Sequence, residues 1–153
     1  MAPFSFFRRQ DPFTVDEKAR IIAAIQEAEK STSGEIRIYI EDRCRFVNPL
    51  DRAAELFWGL QMDHTAQHNA VLIYVALKDH QYALYADSGI HQKLGQAYWE
   101  EEVRQMQVHF SKNHIAEAIA QVILDVGKAL QEHFPYQHEL ERNELPDDII
   151  FGK

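Results

Sequence analysis

Polar residues that can bind ligands flank two predicted strands of this sequence. The first two precede the apolar run 70–77 and the other three follow the next short strand: His68, Asn69, Asp87, Ser88 and Gly89. Because antiparallel pairing brings these strand ends to one edge of a sheet, we expect the five residues to lie close together. Loop amides beside a glycine can face an anion or position a carboxylate. The sequence therefore offers a candidate ligand site here, and an ordinary turn at residues 87–89 is the preferred interpretation.

Acidic residues at the end of an earlier strand suggest a metal. Glu41 and Asp42 follow the alternating segment 35–41, and with Asp87 they offer three carboxylates. Calcium and magnesium prefer carboxylate and carbonyl oxygens, so either ion is a candidate cofactor. Solvated loop acids are the preferred interpretation, because aspartate and glutamate are usually exposed.

Two further patterns in the sequence are weak evidence for a functional site. Cys44 lies between Arg43 and Arg45, and neighbouring cations favour a thiolate, but no base accompanies it and an incidental thiol is the preferred interpretation. His64 and His68 have the spacing of two metal ligands on one helix face. The glutamate of a His-Glu-x-x-His motif is missing between them, and the polar surroundings favour exposed histidines.

The elements that position these residues follow from hydrophobic periodicity. A capping box at Thr14 and Glu17 begins the first helix, and Ile36, Ile38 and Ile40 lie on one face of the first strand. The predicted order is helix 15–30, strand 35–41, helix 50–62, strand 70–77, strand 82–86, helix 94–110 and helix 115–134. This order predicts an α/β fold with a small mixed sheet flanked by helices.

The predicted domain covers residues 14–136, between an aromatic extension at 1–13 and an acidic tail at 137–153. Proline at position 146 argues against a helix in the tail. The apolar end of the tail, Ile149–Phe151, either docks on the domain or stays loose.

Composition limits the classes of function. A net charge of −8 argues against nucleic acid as a partner, because binding to phosphates depends on lysine and arginine. The longest apolar run is about 8 residues, whereas a membrane helix needs about 20, so we expect no membrane span. A single cysteine among 153 residues fits a reducing compartment, and we expect a cytoplasmic protein.

Several segments together resemble the TPM domain family, in particular a non-membrane bacterial subgroup. They are residues 33–38, 50–53, 69–76, 87–90, 134–136 and 143–149. The resemblance implies a Rossmann-like α/β sandwich. It also implies an acid phosphatase activity, as reported for some plant chloroplast members, while other members act in complex repair or receptor modulation.

Two motifs of membrane-linked relatives differ here. His68-Asn69-Ala70 stands where those relatives have Asp-Asn-Gly, and residues 87–91 replace their Gly-Tyr-Gly-Leu-Glu. We therefore predict a binding or regulatory module that recognises another protein. A divalent-metal-dependent acid phosphatase is the alternative.

Overall fold

The computed structural model describes residues 12–110, 114–136 and 149–152. Within these ranges the chain forms five helices and four strands. In order they are α1 (Val15–Glu29), β1 (Glu35–Glu41), α2 (Pro49–Gly59), β2 (Ala70–Ala76), β3 (Gln81–Ala86), α3 (Ser88–Leu94), α4 (Gln96–Phe110), α5 (Ile115–His133) and β4 (Ile149–Phe151). The predicted α/β class with a small mixed sheet is confirmed. No helix in the described ranges is long and apolar enough to cross a membrane.

The four strands form one sheet in the order β3-β2-β1-β4. β1 pairs in parallel with β2 on one side and with β4 on the other, whereas β3 pairs antiparallel with β2. The amino edge of the sheet therefore contains the beginnings of β1 and β2 and the end of β3. The carboxyl edge contains the ends of β1, β2 and β4.

Helices cover both faces of the sheet. Ile36, Ile38 and Ile40 point into the larger core, which α1, α4 and α5 cover. On the other face, Tyr74 packs with Phe57 of α2 in a smaller core. Since β2 is buried along its whole length, its continuous apolar run is explained by burial on both faces.

Helix α1 begins at the predicted capping box. Thr14 Oγ1 accepts a hydrogen bond of 3.0 Å from the Glu17 amide, and Glu17 Oε1 accepts one of 2.9 Å from the Thr14 amide. The helix lies directly against α5, where a Cβ added to Gly127 would be 2.5 Å from Ala28 Cβ. This close approach explains why a glycine occupies the middle of a long helix.

One short helix differs from the prediction. The sequence predicts a turn at residues 87–89 and a helix from Leu94, but α3 begins at Ser88 and a separate helix begins at Gln96. Gly95 divides the two helices with a φ of +84°, which glycine adopts without steric cost.

The end of the chain belongs to the sheet. Ile149–Phe151 forms β4 beside β1, and the ring of Phe151 lies 6.5 Å from that of Phe13. Of the two alternatives predicted for this segment, docking on the domain is confirmed and a loose end is wrong. Residues 1–11 and 137–148, which include the acidic part of the predicted tail, lie outside the described ranges. The predicted boundary at 137 separates β4 from the sheet that it completes.

Candidate functional site

A histidine and an aspartate meet at the amino edge of the sheet. His68 Nδ1 lies 3.1 Å from Asp87 Oδ2. The Asp87 side chain is 5% exposed and the His68 side chain is 56% exposed. A buried carboxylate therefore orients an imidazole that faces solvent.

Asp87 is held in place by the two elements that it joins. Its backbone amide donates a 2.9 Å hydrogen bond to the Ala70 carbonyl, which extends the pairing of β3 with β2. Its Oδ1 accepts a 2.7 Å hydrogen bond from the Ser88 amide, so Asp87 caps α3. One carboxylate oxygen thus caps α3, and the other contacts His68.

Gly89 permits a close contact between α3 and the loop before β2. A Cβ at position 89 would lie 2.3 Å from the Gln67 carbonyl oxygen and 2.5 Å from that of His68. His68 itself has a φ of +51°. Since no side chain fits between these segments, Gly89 fixes the distance between His68 and Asp87.

Asn69 points away from this pair. Its Nδ2 donates hydrogen bonds to Ser33 Oγ at 3.2 Å and to Gln67 Oε1 at 3.4 Å, and Ser33 Oγ donates to Gln67 Oε1 at 2.7 Å. Asn69 is buried. Its contacts connect the loops that precede β1 and β2, which is a structural role.

A cavity of about 460 Å³ adjoins His68 at the outer side of β3, between α2 and α4. Its polar end contains Asp63, His68, Asp87, Ser88 and His91. Its other walls contain apolar and aromatic residues, chiefly Leu50, Trp58, Leu84, Tyr85 and Trp99. Pockets that combine apolar walls with a few fixed polar groups are typical of binding sites.

The sequence matches the TPM domain family over residues 8–129. This chain belongs to the TPM domain family. It is also similar to the BA42 protein from the psychrophilic bacterium Bizionia argentinensis, with 34% identity, a TM-score of 0.84, and coverage of 95% of this chain and 99% of that chain. No protein of curated function matches the sequence.

A more distant structure shares the fold of this TPM domain. The N-terminal domain of the cg2496 protein from Corynebacterium glutamicum has 14% identity and a TM-score of 0.62. The match covers 78% of this chain and 74% of that chain. At this identity the similarity shows the fold alone.

Two tryptophans of the TPM domain differ in exposure. Trp99 is 2% exposed, and its buried indole nitrogen has no hydrogen-bond partner among the described residues. Trp58 is 52% exposed at the edge of the cavity. His91 also lines the cavity, and its position four residues after Asp87 was the sequence signal that could have identified it.

The structure does not bring the three proposed metal ligands together. Glu41 and Asp42 lie at the carboxyl edge of the sheet, whereas Asp87 lies at the amino edge. The length of β1 separates the two edges by roughly 20 Å. One ion therefore cannot contact all three residues. No group of three or more metal-binding side chains is found in the parts of the chain that the structure describes.

The structure also shows the surroundings of the two weaker candidates, Cys44 and His64. The Cys44 amide donates a 2.8 Å hydrogen bond to Asp79 Oδ2, and its Sγ lies 3.6 Å from the Phe46 carbonyl oxygen. His64 is exposed, and its Nε2 lies 3.9 Å from Asp63 Oδ1. Because residues 60–69 contain no helix, His64 and His68 do not share a helix face.

Proposed function

We propose that this TPM domain is a protein-binding module, and that its partner inserts an apolar side chain into the cavity beside His68. The observation that supports this proposal is the fixed pair of a buried Asp87 and an exposed His68 at the polar end of that cavity. A carboxylate that accepts from Nδ1 leaves Nε2 of the imidazole available to a ligand.

The apolar walls favour a protein as the ligand. Trp58 is half exposed at the edge, and tryptophan is enriched among the residues that dominate binding energy at protein interfaces. The indole N–H of Trp99 is a buried donor that a ligand carbonyl can satisfy. The single cysteine supports a reducing compartment, such as the cytoplasm, as the place where this module acts.

A divalent-metal-dependent phosphatase is the second candidate. Asp63, His68, Asp87 and His91 all line one cavity. The two carboxylates can bind calcium or magnesium, and the two imidazoles can transfer a proton. The metal would neutralise phosphate charge and activate water. This candidate ranks second because the described residues contain no assembled ligand group for an ion.

An NMR titration distinguishes the two candidates. Labelled protein receives calcium or magnesium and then p-nitrophenyl phosphate in the same tube. Saturable shifts at His68 and Asp87, together with hydrolysis that Asp87→Asn abolishes, support the phosphatase. A protein with neither shifts nor turnover under these conditions is not a metal-dependent phosphatase.

The binding proposal needs its own test with matched variants. Proteins retained from a cell extract by the wild type are compared with those retained by Trp58→Ala and by Val15→Ala, which removes an exposed apolar side chain from α1. We expect one partner to be lost with Trp58→Ala and kept with Val15→Ala. Equal retention by all three proteins, or no specific retention, contradicts a binding site at this cavity.

A further inference from the structure

A second and larger cleft lies at the opposite, carboxyl edge of the sheet. Its volume is about 920 Å³, and residues at or after the ends of β1, β2 and β4 line it, among them Glu41, Lys78 and Gly152. The parallel pairing of the three strands brings these ends together. None of the residues at the amino-edge site takes part in this cleft.

The chain topology makes this edge a favourable position for a ligand. From β1 the chain crosses to β2 through α2, which covers one face of the sheet. It reaches β4, on the other side of β1, only after α4 and α5, which cover the opposite face. The strand order therefore reverses at β1, and α/β sheets bind ligands outside the carboxyl ends of strands at such a point.

The floor of the cleft is the ion pair of Glu41 and Arg52. Both oxygens of buried Glu41 accept from Arg52, with Oε2 at 2.9 Å from Nε and Oε1 at 3.0 Å from Nη2. Tyr74 donates a further hydrogen bond to Glu41. Arg52 Nη1 also pairs with Glu55 Oε1, so the charge of Arg52 is fully matched and the Glu41–Arg52 pair serves to shape the site.

The rim of the cleft has an excess of positive charge. Arg43 pairs with Asp79 at 2.9 Å, and Lys78 lies 3.7 Å from Asp42, with both cations largely exposed. Arg45 also lines the cleft and has no ion pair with any residue that the structure describes. In a chain with a net charge of −8, a rim where one arginine has no ion pair among the described residues favours an anion.

Aromatic rings lie beside these cations. The Arg52 Cζ atom is 5.7 Å from the ring centroid of Tyr39 and 6.0 Å from that of Phe46. Phe151 also lines the cleft, and Phe46 is partly exposed. Such rings stack on a flat ligand group while arginine pairs with its charge.

We propose that this cleft binds a small aromatic anion, which places a planar ring against Phe46 and a phosphate or carboxylate beside Arg45 and Lys78. The proposal concerns a site different from the cavity at His68. It requires no catalysis and no metal.

Four probes test the aromatic ring and the anionic group of such a ligand separately. Adenosine monophosphate and indole-3-acetate carry both a ring and an anion, whereas inorganic phosphate and adenosine each carry one of them. Binding is followed by amide NMR shifts of the full chain at low salt. We expect saturable shifts at residues 42–46 and 78–79 with one or both complete probes, and binding at least about tenfold weaker with each partial probe.

Charge reversal provides the matched comparison. Arg45→Glu is expected to weaken binding of the complete probe about tenfold, which is the usual effect of one charge-assisted hydrogen bond. Lys128→Glu changes the net charge equally at an exposed position of α5 and is expected to leave binding unchanged. Equal loss in both variants indicates a nonspecific charge effect and overturns the proposal, as does the absence of saturable shifts with both complete probes.

Discussion

Glu41 and Arg52 form a bidentate ion pair that joins the end of β1 to α2. The Glu41 side chain is nearly buried, and Tyr74 from β2 adds a hydrogen bond to the same carboxylate. Burial and these contacts raise the pKa of Tyr74, while the hydrogen bond with Glu41 raises the pKa of Arg52. Three elements of the carboxyl edge thus depend on one buried carboxylate.

Removing Arg52 should therefore destabilise the fold. Arg52→Met leaves the Glu41 carboxylate buried without its cation, and we expect a loss of about 2 to 3 kcal/mol in the free energy of unfolding. Urea unfolding at neutral pH measures this loss. Adding Glu41→Gln to the same protein should restore part of it, because the unpaired charge is then absent. A loss below about 0.5 kcal/mol in the single variant contradicts the role of the pair.

Two glycines should respond oppositely to alanine. At Gly89 a Cβ would be 2.3 Å from a backbone oxygen, whereas at Gly59 nothing lies within 4 Å. Gly89→Ala should lower the free energy of unfolding by about 1 to 3 kcal/mol, as overpacking does. Gly59→Ala should be neutral or raise it by about 0.5 to 1 kcal/mol, because alanine favours the helix. Thermal unfolding of both variants checks the contrast, and similar midpoints would contradict it.

The sequence predicts the parts of the fold that have strong periodic patterns. The alternation of Ile36, Ile38 and Ile40 identifies β1, and the continuous run of β2 identifies a strand buried on both faces. Helix α3 was missed because Ser88 and Gly89 are turn-forming types, and the close contact that requires Gly89 is tertiary. The three residues of β4 are too few for a periodic signal, so only their pairing with β1 defines them.

Only part of the candidate site was predictable from the sequence. The hairpin pattern places His68 beside Asp87, as the structure shows. The direction of β1 relative to β2 cannot be read from either strand alone, and it is this parallel pairing that puts Glu41 far from Asp87. The indole N–H of Trp99 has no hydrogen-bond partner in the part of the chain that the structure describes, and this depends on tertiary packing, which leaves no local pattern.

Substitutions at Asp87 should separate its capping role from its charge. Asp87→Ala removes the cap of α3 and the contact with His68, and we expect a loss of about 2 kcal/mol in stability. Asp87→Asn keeps an oxygen that can accept from the Ser88 amide, so the loss should be about half as large. Urea unfolding of both variants gives the ratio. An equal loss in both would show that the cap does not contribute.

Glu102 of α4 should make stability depend on pH. Burial, reinforced by the nearby carboxylate of Asp125, raises the pKa of Glu102 to about 7. The unfolded chain ionises this group near pH 4.5, whereas the folded chain keeps it protonated until about pH 7. The contribution of Glu102 to the free energy of unfolding is therefore fully present at low pH. It falls as the pH rises through this window and stays at its lower value above it.

Glu102→Gln removes this dependence, since glutamine does not ionise. Relative to the wild type, we expect the variant to be about 1 to 2 kcal/mol more stable at pH 8 and nearly equal at pH 4. Urea unfolding at the two pH values measures the difference. Glu101→Gln, on the half-exposed neighbouring residue, is the control and should show little gain at pH 8 because surface pairs contribute little. A Glu102→Gln protein that is less stable than the wild type at pH 8 would show that the ionised carboxylate is favourable in the fold.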